Sequence, residues 1–355
     1  MIFDRMEQNP GARLLFILAC LVVVVHGLKL AQPVLLPAAL ALFLAVLSLP
    51  IMLALRRRGV PAVLAIAVTV LVDVAVFGLV ILLAIQSVSE FESQLTRYVA
   101  ALQTLQIRWL AVVEERTGIA LGGYVATELL DARKLVDLAG SAVGQVAQFL
   151  SNTFLVLLIM IFMLAEATVF PEKFRIVVGD GVDDGGDRLT NIVQEIQSYL
   201  GIKTVISLAT GVILGAWAYV TGLDFPVLLG IIAFGLNYVP TVGSIIAAAP
   251  ALVLSVLIHG SLTHALLVGS GYVVVNTMFG NILEPNLMGR RLGLSTLVVV
   301  LSLLFWGWAW GPLGALLSVP LTVVVKIWLE HTQDLRWIAI LLDKTPPARE
   351  PDPVP

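Results

Sequence analysis

The stretch NYVPTVGSIIAAAP, residues 237–250, interrupts an otherwise apolar run at 225–258. A second apolar run, 294–328, is interrupted in a corresponding place by GPLGALLSVP, residues 311–320. The pattern is the same in both: proline, a glycine close behind, small and apolar residues, then a second proline. These are Pro240, Gly243 and Pro250 in the first run, and Pro312, Gly314 and Pro320 in the second. Proline removes a backbone donor and glycine loosens the chain, so each cluster predicts a broken helix. Lipid cannot satisfy the backbone groups freed by such a break. Broken segments in corresponding places of two related halves are the sequence pointer to a solute-binding site.

The rest of the chain places these breaks in a membrane. It has 355 residues, 59% hydrophobic and 13% charged, with a mean hydropathy of +0.99. Soluble domains carry roughly 45–50% apolar and about 25% charged residues, so the fold class predicted is an all-α polytopic membrane protein. The net charge of −3 says nothing about nucleic acid, and no basic stripe suggests it. Cys20 is the single cysteine, which excludes an intrachain disulfide; it reads as a small apolar residue. Arg5 and Arg13 precede the run 14–30 with no small-x-small cleavage site after it, so this run reads as a retained first span rather than a signal peptide.

A membrane helix needs about 20 mostly apolar residues to cross about 30 Å of hydrocarbon. The candidates are 14–30, 33–55, 60–85, 147–170 and 200–221, the broken hairpin 225–258, 262–283, and the broken hairpin 294–328, about eight segments in all. Basic residues mark cytoplasmic loops. Arg56, Arg57 and Arg58 place the loop between the second and third spans inside, and Arg5 and Arg13 place the N-terminus inside. Arg290 and Arg291 fall inside only if 225–258 enters and returns. The C-terminus, with Lys326, Arg336, Lys344 and Arg349, then also lies inside. The two hairpins would enter from opposite faces, as an inverted repeat of 200–258 and 262–328.

The organisation predicted is five-part: N-terminal spans 1–85, an extramembrane helical hairpin 86–146, a fourth span and cytoplasmic loop 147–199, a transport core 200–330, and a partly disordered cytoplasmic tail 331–355. The 86–146 insert carries apolar residues at a 3,4 spacing, from Val88, Phe91, Leu95 and Tyr98 onward and again from Val125, Leu129 and Ala132. That spacing suits helices packed along a narrow seam, within one subunit or between subunits.

Few side chains carry chemistry. Asp73 lies mid-span at 60–85, where a carboxylate is costly and serves either as a proton or cation site or as an interhelical hydrogen-bond partner. Asn237 precedes the first break, while Asn276, Asn281 and Glu284 precede the second hairpin. With carbonyls freed around Pro240 and at Gly311-Pro312, they form a candidate site for a polar solute or cation. His26, Lys29, His259 and His264 read as interfacial. Trp306, Trp308 and Trp310 alternate and so do not share one helix face. The acidic run 180–187 fails the calcium-loop pattern, since Val182 stands at a ligand position, and no metal site is predicted. No zinc-protease, serine-hydrolase or phosphate-loop motif is present, so neither an enzyme nor a cofactor is expected.

Two signatures in this order, NYVPTVGSIIAAAP (237–250) and EPNLMGRRLGLSTLVVVLSLLFWGWAWGPLGALLSVP (284–320), resemble the autoinducer-2 exporter (AI-2E) family over nearly the whole chain. The resemblance implies a bacterial inner-membrane transporter of small polar molecules, with inverted repeats, an elevator-like or related alternating-access motion, and a homo-oligomeric, pentameric assembly. Some relatives are similar to sodium or lithium/proton antiporters, so protons or sodium enter as coupling partners. The WGWAW run at 306–310 is bulkier than the family pattern. The site expected has Asn237, Pro240 and Gly243 on one wall and Glu284, Gly311, Pro312 and Gly314 on the other. Asn276 and Asn281 add polar contacts, and Asp73 or Glu284 serves as the coupling group. A channel-like pore and a membrane scaffold organised by 86–146 are the remaining alternatives.

Overall fold

The protein is described here by a computed structural model covering residues 10–117, 153–167, 169, 173, 183–240, 242–288, 294–330, 332 and 336–343. Among these residues helices dominate, and the only extended pairing is an isolated bridge between Leu294 and Asp343. In chain order the helices are α1 (Pro10–Leu30), α2 (Gln32–Arg57), α3 (Ala62–Thr117), α4 (Thr153–Ala167), α5 (Asp183–Val220), α6 (Pro226–Leu236), α7 (Val242–His259) and α8 (Leu262–Asn276). A π-helical turn (Thr277–Leu283) follows, then α9 (Glu284–Met288), α10 (Thr296–Glu330) and α11 (Arg336–Leu342).

Helices dominate because each satisfies its own backbone without water. Among the described residues, six stretches are long and apolar enough to cross a membrane: Gln32–Arg57, Ala62–Phe91, Gln194–Val220, Val242–His259, Leu262–Leu287 and Thr296–Glu330. Leu14–Leu30, Thr153–Ala167 and Pro226–Leu236 are shorter apolar helices. Their outer faces are apolar too: Leu15 and Val23 of α1 are 69% and 70% exposed, a surface that hydrocarbon solvates and water does not.

One segment differs from expectation. The 171–199 loop is helical from Asp183 onward. Ile196, Tyr199 and Leu200 continue the 3,4 spacing of the span behind them. The third span runs without a break into the insert as α3, through to Thr117. The second half of the insert, Arg290 and Arg291, and the tail from residue 344 lie outside the described residues.

The chain divides into two compact units. One comprises Met1–Leu44 with Gly293–Pro355, the other Ala45–Leu292. In the second unit α5 packs against α6 through glycine. A Cβ on Gly211 would lie 2.7 Å from the Gly230 carbonyl oxygen, and one on Gly230 would lie 2.8 Å from the Gly211 oxygen. Small residues let two backbones approach this closely, which is how membrane helices gain packing energy without a hydrophobic driving force. Behind this seam Leu214, Ala218, Leu229, Ala233, Ala251 and Val268 form one buried cluster.

The long helix α3 braces the start of α6. The Tyr98 hydroxyl donates to Asp224 Oδ2 at 2.6 Å. Phe91 and Tyr98 meet the Phe225 ring at 5.5 and 6.0 Å, edge to face. Phe225 sits in the left-handed region, φ 58, an uncommon state for a bulky residue that its buried aromatic contacts hold in place. Burial first, and then the bond to Asp224, push the Tyr98 phenol well above its usual range.

In the first unit the C-terminal helix is tied to α10. The Lys326 ammonium donates to Asp343 Oδ2 at 2.9 Å, and Ser295 N–H donates to the Leu342 carbonyl at 3.1 Å.

Candidate functional site

The span within α5 carries a polar stripe. Tyr199, Lys203 and Ser207 follow at four-residue spacing and Thr210 three further on, so they share a face; all four are buried. Lys203 Nζ donates to Glu284 Oε1 at 2.6 Å, with the two side chains 4% and 19% exposed. One turn along, Asn237 Nδ2 donates to Ser207 Oγ at 3.0 Å. Beside it the Tyr238 hydroxyl donates to Thr204 Oγ1 at 2.7 Å, and Thr204 donates onward to the Leu200 carbonyl at 2.7 Å. Two neighbouring turns of α5 thus hold the broken end of α6 and the start of α9.

The backbone around these contacts is irregular. Between α6 and α7, Val242 N–H donates to the Pro240 carbonyl at 2.6 Å and Gly243 N–H to the Val239 carbonyl at 3.3 Å. Gly243 is buried, and a Cβ there would run into the Leu236 carbonyl, so only glycine fits. Glu284 follows the π-helical turn, and its N–H donates to Phe279, five residues back. Pro285 behind it offers no N–H. Single π turns inside α-helices are rare and frequently mark functional positions.

The structure therefore brings Asn237 and Glu284 onto one face of α5. Asn276 is half-buried at the end of α8, while Asn281 is exposed on the π turn. Gly311, Pro312 and Gly314 belong to the other unit. There Gly311, at φ 70 and ψ −156, is the non-helical residue of α10. Trp306 Nε1 donates to Thr322 Oγ1 at 3.1 Å; sixteen residues of straight helix would separate them by about 24 Å, so the chain turns back on itself at Gly311. Pro312 suits the first turn of the returning limb. Gly314 is buried where a Cβ would run into the Trp306 carbonyl.

The tryptophans resolve into two roles. Trp306 and Trp310, one turn apart, are buried with ring centroids 4.7 Å apart. Trp310 Nε1 donates to the Leu28 carbonyl at 3.1 Å. Trp308 faces outward, 55% exposed, with Lys29 Nζ 4.1 Å from its ring centroid, a cation–π contact.

Asp73 is buried between α3 and α2. Ser48 Oγ donates to its Oδ1 at 2.9 Å, and its Oδ2 has no hydrogen-bond partner among the described residues. His264 bridges Ser255 Oγ at 2.7 Å and the Thr221 carbonyl at 3.0 Å, and His259 stacks on it at 3.6 Å. With the carbonyl as acceptor, the His264 Nε2 carries the proton, and Nδ1 accepts from Ser255 when the ring is neutral.

Lys203, Tyr199, Thr204, Ser207 and Tyr238 were absent from the sequence-based site. A lysine inside an apolar span, followed by Thr204, Ser207 and Thr210, was the available signal.

These helices and the charged, hydrogen-bonded cluster inside them define a multi-pass membrane protein with a polar interior. The profile described as AI-2E family transporter matches residues 18–334. The chain is 39% identical over 336 residues to the AI-2 transport protein TqsA of Escherichia coli, covering 94% of this chain and 96% of that one. It is 36% identical over 337 residues to YhhT of the same species, covering 94% and 95%. The chain belongs to the AI-2E transporter family, and is a multi-pass inner-membrane protein with a transport role.

Proposed function

We propose that this protein is a secondary transporter that moves a small polar solute across the inner membrane by alternating access, in an elevator-like or related motion. The observation that carries this reading is the Lys203–Glu284 pair at 2.6 Å inside a membrane-spanning bundle, next to a helix break lined by Asn237. Charged side chains in spans are costly and mark solute or ion pathways. The solute contacts proposed are Asn237, Glu284 and the irregular backbone around Pro240 and Gly243, with Asn276 and Asn281 on the approach. Gly311, Pro312 and Gly314 give the other broken segment the same helix–break–helix form. The two segments are proposed as re-entrant hairpins of an inverted repeat, with both termini cytoplasmic. An autoinducer-2-like solute follows from the name of the relative TqsA. The assembly proposed is a homo-oligomer, a pentamer by family resemblance, with the 86–146 segment as contact element.

A second reading, sodium or lithium/proton exchange, is favoured by one observation: the unpartnered Asp73 oxygen within α3. Flux into proteoliposomes separates the two. Saturable autoinducer-2 movement that is lost in Gly243→Val plus Gly314→Val supports the first. Sodium or lithium movement under a proton gradient, lost in Asp73→Asn, supports the second. Wild type matching empty liposomes for every solute overturns both.

A further inference from the structure

Lys203 is the more deeply enclosed member of its pair, 4% exposed against 19% for Glu284. A proton arriving from water therefore meets the carboxylate, not the ammonium. The titratable groups facing Glu284 are Lys203, which is paired with it, and Tyr199, both from α5. With the pair ionised, the pocket is neutral. Protonating Glu284 leaves Lys203 as its net charge, and an unpaired buried ammonium is strongly disfavoured. The natural relief is a replacement anion.

We infer that Lys203 is a solute-binding residue for a small organic oxyanion, and that Glu284 is a resident counterion that yields to it on protonation. This rests on the transporter reading above. In the step, a proton from water adds to the Glu284 carboxylate, the Lys203–Glu284 bond breaks, and the solute's oxyanion takes the ammonium. The empty site holds one positive and one negative charge; the loaded site holds the ammonium, a neutral acid and one anion. Both are neutral overall, so proton and anion cross together without moving net charge, and neither state puts an unpaired charge into low dielectric. An oxyanion with hydroxyl groups suits the surroundings. An ammonium is a three-donor point charge, and the Ser207 hydroxyl and Asn237 amide lie one turn further along α5. The π turn ahead of Glu284 contains no buried residue.

The test is lactate, with acetate and phosphate beside it. Binding to the detergent-solubilised full-length protein is measured at about pH 5 and about pH 8, since binding linked to the uptake of a proton strengthens as pH falls. Wild type is expected to bind lactate at least about tenfold tighter at the lower pH, as expected for uptake linked to one proton. Glu284→Gln binds equally at both, and Lys203→Met does not bind. Should Lys203→Met fail to fold, Lys203→Arg must retain binding. In proteoliposomes, lactate uptake follows an inward proton gradient and ignores an imposed membrane potential. The inference is overturned if Lys203→Met binds like wild type, if Glu284→Gln keeps its pH dependence, or if none of the three anions binds the folded Glu284→Gln protein. Saturable autoinducer-2 flux alongside any of those results leaves the transporter reading standing. Absence of all solute flux overturns the transporter reading itself.

Discussion

Replacing Lys203 and Glu284 by methionine, singly and together, separates an ion pair from two independent contacts. At 2.6 Å the gross Coulomb attraction is about 6 kcal/mol at an effective dielectric of about 20. Desolvation takes back part of it, and breaking such a pair from one side costs roughly 3–5 kcal/mol when both groups are enclosed. The two sides are unequal here. Glu284→Met strands an ammonium 4% exposed and is expected to cost about 3 kcal/mol. Lys203→Met leaves a carboxylate 19% exposed, which water can reach, and is expected to cost about 2 kcal/mol. The double variant replaces two charges by two apolar chains of similar length and is expected to cost about 1 kcal/mol, a coupling on the order of 4 kcal/mol. Equilibrium unfolding in mild detergent titrated with SDS reads all four proteins. Additive losses, with the double variant near 5 kcal/mol (, on the order of the two singles together), would refute the view that each charge is held only by the other.

Three further outcomes follow from the geometry. Tyr98→Phe removes the donor to Asp224 and is expected to lower stability by about 1.5–3 kcal/mol, the usual range for a bond to a charged group. Because the folded Tyr98 pKa is raised, its contribution is complete below the unfolded value of about 10 and declines as pH climbs beyond it. Wild-type melting temperatures should therefore fall more steeply above that pH than those of Tyr98→Phe. Gly211→Leu forces α5 off α6 at Gly230, with an expected loss of about 3 kcal/mol or more, read by detergent melting, whereas Gly78→Leu, with nothing within 4 Å of its Cβ, is expected to be neutral. Asp73→Asn keeps the Ser48 bond and is expected to change stability by less than about 1 kcal/mol; if Asp73 couples transport to protons, the variant's flux loses its pH dependence.

The breaks were legible because Pro and Gly act locally: Gly311 and the 237–240 turn lie where the clusters stand. Helical class was legible from hydropathy alone. The pairing of Lys203 was not, since its partner lies 81 residues away and nothing local distinguishes a paired lysine from an interfacial one. The start of α5 was misread because aspartate and glycine between 180 and 187 signal a turn as strongly as they signal a helix N-terminus. Asn281 was grouped with Glu284 by closeness in sequence, yet on the π turn it faces outward, as a three-residue offset in an irregular helix cannot be projected from sequence. The tryptophan spacing was read correctly as two faces, but the burial of Trp306 and Trp310 depends on the return of the chain at Gly311.

Counterflow tests the central claim most directly. Proteoliposomes are loaded with unlabelled autoinducer-2 and then given labelled autoinducer-2 outside. An alternating-access carrier returns faster when loaded, so labelled solute should accumulate transiently above its external concentration, and Gly243→Val should abolish the overshoot. Uptake that rises only to equilibrium, at a rate indifferent to the internal load, would contradict the account and describe a pore.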